Sequence, residues 1–221
     1  MTEQDWLDSN DPTAMLGRLK ELGFSERKLR LLACACCRCI WEHLEDPRSR
    51  RAVEVAERYA DGKATPRELA DARASAVPPA RGPSWAAYWA TNIKASGPVV
   101  NVFEAAVAAA ATKATRRTGQ AITWDSVHAA SVRDQVDLIR EVAGNPYKEV
   151  HFDPRWLTWE GGQIVRFAEA VYESMEFDRM PILADALEEA GCSDETVLEH
   201  CRHGGPHVRG CWVLDLVLDK E

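Results

Sequence analysis

The sequence predicts an all-α fold, an irregular multi-helix bundle of about nine helices. Apolar residues recur at three- and four-residue spacing along most of the chain. Residues that cap or end helices lie at both ends of these segments, namely glycine, proline, serine, threonine and aspartate. Only the irregular segment 145–156, NPYKEVHFDPRW, leaves room for a short strand.

Length and composition are those of an ordinary soluble globular protein. The chain has 221 residues, of which 46% are hydrophobic and 28% are charged. This length is enough for one good core, and a single helical domain over 1–221 is predicted. The segment 77–84, VPPARGPS, has three prolines and a glycine, so it is the candidate subdomain boundary.

Charge and cysteine usage exclude several classes of protein. The formal charge of -8 argues against sequence-independent binding of nucleic acid, which needs attraction to phosphates. The amino-terminal residues lack the apolar region of a signal peptide, and the most apolar run, 99–111, is too short to cross a bilayer. A cytoplasmic protein is therefore expected, in which the seven cysteines are reduced thiols or metal ligands.

The first half of the chain is predicted to begin with a helical hairpin. Pro12 suits the first turn of a helix that ends at Gly23, and Ser25 caps a second helix that continues to Leu44. Asp46-Pro47 interrupts the chain, and helices then follow over 48–62 and from Pro66 to Ser75.

The second half alternates helices with short turns. Two helices, SWAAYWATNI (84–93) and PVVNVFEAAVAAAATKATRR (98–117), follow the candidate boundary, and the second is apolar nearly all round, which is typical of a central packing helix. Later helices are predicted over 123–143, from Thr158, over 178–190 and after Ser193. The last segment, PHVRGCWVLDLVL (206–218), favours a helix because a strand would alternate poorly and bury Asp215. This closing segment is expected to pack against the first hairpin.

The cysteine-rich helix suggests a metal site. In a helix from Glu26 to Leu44, Cys36, Cys39 and His43 fall on one face, because residues three and four apart are neighbours there. Thiolate and imidazole are the ligands that tetrahedral zinc prefers.

The closing segment offers the remaining ligands. Cys201, His207 or Cys211 could supply a fourth ligand. Alternatively, because His207 and Cys211 are four residues apart, they could join Cys39 and His43 in a set of two cysteines and two histidines. The competing interpretation is that these cysteines are small core residues, since buried free cysteine is common.

Two further functions are less favoured. A cysteine nucleophile could be activated by histidine, with Cys201 beside His200 or Cys211 near His207 and Asp215 as the orienting group. No loop for an oxyanion hole is evident. Arginines and lysine on the second helix could mimic a nucleic-acid-binding hairpin, but the acidic total opposes this.

Four motifs carry a resemblance to a known family. They are RKLRLLACACCRxIW, RRAVEVAERYADG, the GNPY…DPRWLTW segment, and MPILADALEEAGC with the closing HVRGCWVLDLVL. Together they resemble an uncharacterised bacterial protein family that is abundant in planctomycetes and is sometimes labelled as similar to a yeast cell-wall-assembly regulator. The resemblance implies no catalytic residues. It implies that the cysteine-rich start and the closing segment belong to one recurring unit.

These observations predict a non-enzymatic, cytoplasmic helical module that binds a protein partner, with no role at a membrane and none in binding nucleic acid. Some of the eight tryptophans would suit a protein-binding surface if they are exposed. The alternative is a metal-binding protein, structural or redox-sensing, that holds zinc through Cys36, Cys39 and His43 with His207 or Cys211.

Overall fold

A computed structural model describes residues 1–76, 83–92, 94–95, 101–102, 105, 124–150, 152–203 and 205–220. The described residues form twelve α-helices and three short 3-10 helices, and they contain no strand. The predicted all-α class is therefore confirmed. None of these helices combines the length and the apolar character that crossing a membrane requires.

The chain divides into two compact units, which are described separately. Unit 1 consists of Met1 and Asp8–Ile139, and unit 2 consists of Thr2–Leu7 and Arg140–Glu221. Most of the boundary predicted at 77–84 and most of the helix predicted over 98–117 lie outside the described residues. The single domain, and the packing of the first hairpin against the closing segment, stay predictions.

Unit 1 is built from helices with clear amino-terminal caps. Ser25 accepts a hydrogen bond from the backbone N–H of Lys28, as predicted, and Thr65 forms a reciprocal capping box with Glu68. Its complete helices are α2 (Pro12–Glu21), α3 (Glu26–Cys39), α4 (Pro47–Ala60), α5 (Pro66–Ser75) and α6 (Ser84–Ala90). After α6, the next helix that the structure describes over its whole length is α7 (Trp124–Ala143), which runs from unit 1 into unit 2.

The prediction of one continuous helix to Leu44 is wrong. Helix α3 ends at Cys39, and a separate 3-10 turn follows over Trp41–His43. The turn buries Ile40 and Leu44 before Asp46, whose side chain caps α4. His43 therefore does not share a continuous helical face with Cys36 and Cys39.

An ion pair joins α3 to α4, and its loss is expected to be costly. Arg38 donates two hydrogen bonds to the carboxylate of Glu57, at 2.9 and 2.6 Å, and its guanidinium lies 4.0 Å from the ring centroid of Trp41. Because Glu57 is buried, Arg38→Ala would leave a carboxylate without its partner. The free energy of unfolding of unit 1 should fall by about 2–3 kcal/mol in urea denaturation.

The matched control is Arg48→Ala. Arg48 also forms a paired contact with an acid, Asp46, but on the exposed surface, so little change is expected. Equal effects of the two substitutions would contradict the importance of the buried pair.

Unit 2 surrounds its own apolar core. Its elements are most of α1 (Glu3–Asp8), the end of α7, α8 (Arg155–Thr158), α9 (Gln163–Ser174), α10 (Met180–Glu189), α11 (Glu195–Arg202), α12 (Trp212–Val217) and 3-10 turns at Trp159–Gly161 and Phe177–Arg179. Fully buried core side chains come from four of these helices: Ile164, Val171, Tyr172, Leu183, Leu187, Val197, Val213 and Leu214.

The closing helix is shorter than the sequence predicts. Helix α12 begins at Trp212, and 205–211 is not helical. The cause is Gly210, whose φ of 88° lies in the left-handed region that glycine adopts without a steric penalty. His207 and Cys211 are therefore not an i,i+4 pair on a helix, and that part of the prediction is wrong.

Candidate metal centre

Four side chains of unit 2 that can bind metals meet at one buried place. Glu141 lies in the last turn of α7, and His200 lies in α11. His207 lies in the non-helical segment after α11, and Cys211 is the residue that precedes α12. One donor atom from each of the four residues lies within 4.8 Å of the other three.

Local structure places each of these residues. Asp194 caps α11 by accepting hydrogen bonds from two backbone N–H groups, which fixes the start of the helix that carries His200. The left-handed Gly210 turns the chain immediately before Cys211. Helix α7 ends at Ala143, and Gly144 follows with a φ of 64°, so Glu141 lies near a sharp change of chain direction.

The carboxylate of Glu141 lies between the two imidazoles. Its Oε1 is 3.0 Å from Nδ1 of His207, and its Oε2 is 3.3 Å from Nε2 of His200. The same Nε2 of His200 is 3.2 Å from Sγ of Cys211. Both carboxylate oxygens and the thiol thus converge on ring nitrogens.

The site is largely shielded from water, so burial and the neighbouring groups determine the protonation states of its residues. The side chains of Glu141, His207 and His200 are 2%, 5% and 18% exposed. Burial would raise the pKa of Glu141, but the hydrogen bonds of the two histidines, with their positive charges when they are protonated, lower it to about 2. Glu141 is therefore ionised at neutral pH.

Burial and the nearby carboxylate raise the pKa of Cys211 well above its usual value. Burial also raises the pKa of Cys201 to about 12. Both residues are neutral thiols in this environment, so neither has the low pKa that activates a cysteine nucleophile.

His207 has one ring nitrogen that the protein leaves unused. Because the ionised carboxylate of Glu141 can only accept, Nδ1 of His207 carries the proton of their hydrogen bond. Its Nε2 is buried and has no hydrogen-bond partner among the described residues. A buried polar atom without a partner is unusual in folded proteins and often marks a bound water or ion.

Trp212 fixes the other histidine. Its indole N–H donates a hydrogen bond to Nδ1 of His200 at 3.1 Å, and the two ring centroids are 5.0 Å apart. Gly144 makes room for the indole, because a Cβ at this position would lie 3.2 Å from two ring atoms of Trp212.

Two of the five predicted metal ligands, His207 and Cys211, belong to this group. The other three lie in unit 1: Cys36 is buried in α3, Cys39 is exposed at the end of α3, and His43 lies in the following turn. Within the described ranges, none of these three belongs to a cluster of three or more metal-binding side chains. A ligand set that uses Cys36, Cys39 or His43 stays a prediction.

Glu141 and His200 are not among the metal ligands predicted from the sequence. A signal for Glu141 exists, because it is a charged residue in an apolar stretch, with Leu138 and Ile139 before Arg140 and Val142 directly after it. His200 offers no such signal, because its one notable feature in the sequence is the neighbouring Cys201.

Two nitrogens, one sulfur and one carboxylate oxygen form a donor set that zinc accepts in tetrahedral geometry. Comparisons of the chain with models of known families, with curated proteins and with solved structures found no match. The chemistry of this buried group is therefore the main guide to function.

Proposed function

We propose that this protein binds a zinc-type metal ion in unit 2 through Glu141, His200, His207 and Cys211. The observation that carries the proposal is the convergence of four donor groups, from separate segments, within 4.8 Å at a buried place. Most buried polar clusters of this kind need a hydrogen-bonded or ionic partner for every member, and His207 retains an unpaired nitrogen.

The dimensions of the group suit such an ion. Zinc bonds of about 2.0–2.3 Å imply ligand atoms about 3.3–3.8 Å apart in a tetrahedron. Nε2 of His200 lies 3.3 Å from Oε2 of Glu141 and 3.2 Å from Sγ of Cys211, at the short end of this range. The widest separation is no more than 4.8 Å, so small side-chain movements would complete the coordination shell.

The charge balance also favours a cation. Glu141 brings a negative charge into the interior, and Cys211 would become a second anion because its thiol releases a proton to solvent when the metal binds. A divalent ion would neutralise both charges where water cannot.

A structural role fits this ligand set best. Four protein ligands leave no open coordination position for a substrate, as in closed structural zinc sites. The ion would tie the end of α7 and α11 to the segment that leads into α12. The sequence predicts a protein-binding module, and that function stays a prediction. A structural metal site would be compatible with it.

Competition for zinc with a chromophoric chelator tests the proposal. Wild-type protein should bind one zinc per chain, and His207→Ala and Cys211→Ala should each weaken binding by at least about a hundredfold. Circular dichroism at a temperature below unfolding would show that the variants remain helical.

Two matched controls separate this site from other thiols and imidazoles. His203→Ala removes an exposed histidine close to the site in sequence, and Cys39→Ala/His43→Ala removes two of the ligands predicted in unit 1. Both should retain wild-type affinity. Loss of zinc in the second control, with retention in Cys211→Ala, would overturn the proposal in favour of the cysteine-rich helix.

A further inference from the structure

We infer that Trp212 is a positioning residue that holds His200 in a tautomer opposed to metal binding, so that zinc binding through His200 must break the hydrogen bond between the two side chains. This inference rests on the proposed function of the site. It assigns Trp212 a role in regulating metal affinity, although the indole is not itself a ligand.

The hydrogen bond between Trp212 and His200 fixes the tautomer of the imidazole. An indole N–H can only donate, so Nδ1 of His200 must accept with its lone pair. The proton of the neutral imidazole is therefore on Nε2. That nitrogen faces Oε2 of Glu141 at 3.3 Å and Sγ of Cys211 at 3.2 Å.

This arrangement is the reverse of an ordinary metal-binding histidine. A histidine that binds a metal through one ring nitrogen usually donates the N–H of the other to an acceptor. In His200 the nitrogen that faces the other ligands carries the proton, and the outer nitrogen meets a donor. Coordination through Nε2 moves the proton to Nδ1, where it would oppose the N–H of Trp212.

His207 provides an internal comparison. Its Nδ1–H donates to Glu141, an acceptor, so its proton is placed as in a metal-ligating histidine. The two histidines of the site are therefore held in opposite tautomers, and Trp212 accounts for the difference.

The packing of Trp212 keeps this hydrogen bond in place. The indole is half-buried at the start of α12, and it packs against Gly144, where a Cβ would lie 3.2 Å from two ring atoms. Zinc binding at Nε2 of His200 therefore breaks one hydrogen bond, and this cost weakens the affinity of the site for zinc. Occupancy of the site is thereby coupled to the environment of Trp212.

Zinc titration of Trp212→Phe tests the inference. Phenylalanine keeps an aromatic ring over Gly144 but removes the N–H, so zinc affinity should rise roughly tenfold over wild type. Trp159→Phe, at another half-buried tryptophan of unit 2, is the matched control and should leave affinity unchanged.

Nitrogen-15 NMR of the histidine rings measures which ring nitrogen of His200 carries the proton. This proton position would not depend on Trp212 if the tryptophan only stabilised the fold. In the metal-free wild type, His200 should carry its proton on Nε2, and zinc should shift it to Nδ1 together with a change in the Trp212 indole N–H resonance. This measurement on the wild type holds even if Trp212→Phe folds poorly. A metal-free His200 with its proton on Nδ1 would overturn the inference.

The two proposals fail in different ways. Equal or weaker zinc binding by Trp212→Phe, with wild type binding one zinc, overturns the role of Trp212 and leaves the site intact. If neither protein binds zinc, the proposed function is overturned, and the inference falls with it.

Discussion

Zinc added to chelator-treated protein is expected to raise the free energy of unfolding of unit 2 by about 4 kcal/mol when free zinc is a thousandfold above its dissociation constant. The reason is that Glu141, His200, His207 and Cys211 come together only in the folded chain, so the ion binds the native state. Urea denaturation with and without zinc, followed by circular dichroism, measures the change.

Magnesium and the variant Cys211→Ala are the controls for this stabilisation. Magnesium prefers oxygen ligands in octahedral geometry and should not stabilise unit 2. Cys211→Ala should respond weakly to zinc because it lacks the thiolate. If zinc stabilised Cys211→Ala as strongly as wild type, the ion would be binding elsewhere in the chain.

Glu141→Gln is expected to reduce the stability of the metal-free protein by about 3 kcal/mol near neutral pH. The pKa of Glu141 is about 2 in the folded state, below the usual value of 4.5. A carboxyl group with a lowered folded-state pKa stabilises the protein above its unfolded-state pKa, and each pKa unit corresponds to about 1.4 kcal/mol. This contribution should disappear as the pH falls from about 4.5 to about 2.

Urea denaturation in the presence of chelator, repeated across the acidic range, measures this effect. The wild type should lose more stability than Glu141→Gln as the pH falls, so the two curves should converge near pH 2. Glu169→Gln, at an exposed position of α9, is the control and should follow the wild type. Equal stability of the two glutamine variants at pH 7 would contradict a stabilising role for the buried carboxylate.

Much of the helical framework could be predicted because its signals are local. Ser25 and Thr65 cap the helices that follow them, since a side-chain oxygen needs only the next three residues to make its bond. The end of α3 at Cys39 and the start of α12 at Trp212 differ from the prediction, because Ile40 lies outside the helical region, with φ -108° and ψ 20°, and Gly210 has a φ of 88°.

The candidate site was predicted only in part, for a physical reason. His207 and Cys211 were chosen as neighbours on a helix, but the chain brings them together through a turn at Gly210. Glu141 is far from both in sequence, and only folding places its carboxylate against the imidazoles. The cysteine-rich helix gave the stronger sequence pattern, but His43 lies in a separate 3-10 turn and does not continue the helical face of Cys36 and Cys39.

X-ray absorption spectroscopy at the zinc edge of protein loaded with one zinc per chain tests the central claim most directly. Coordination by Glu141, His200, His207 and Cys211 predicts one sulfur at about 2.3 Å and three nitrogen or oxygen ligands at about 2.0–2.2 Å. Two or more sulfur ligands would instead point to the cysteines of α3 and would contradict the site in unit 2. Zinc with no sulfur ligand would exclude Cys211 and contradict it as well.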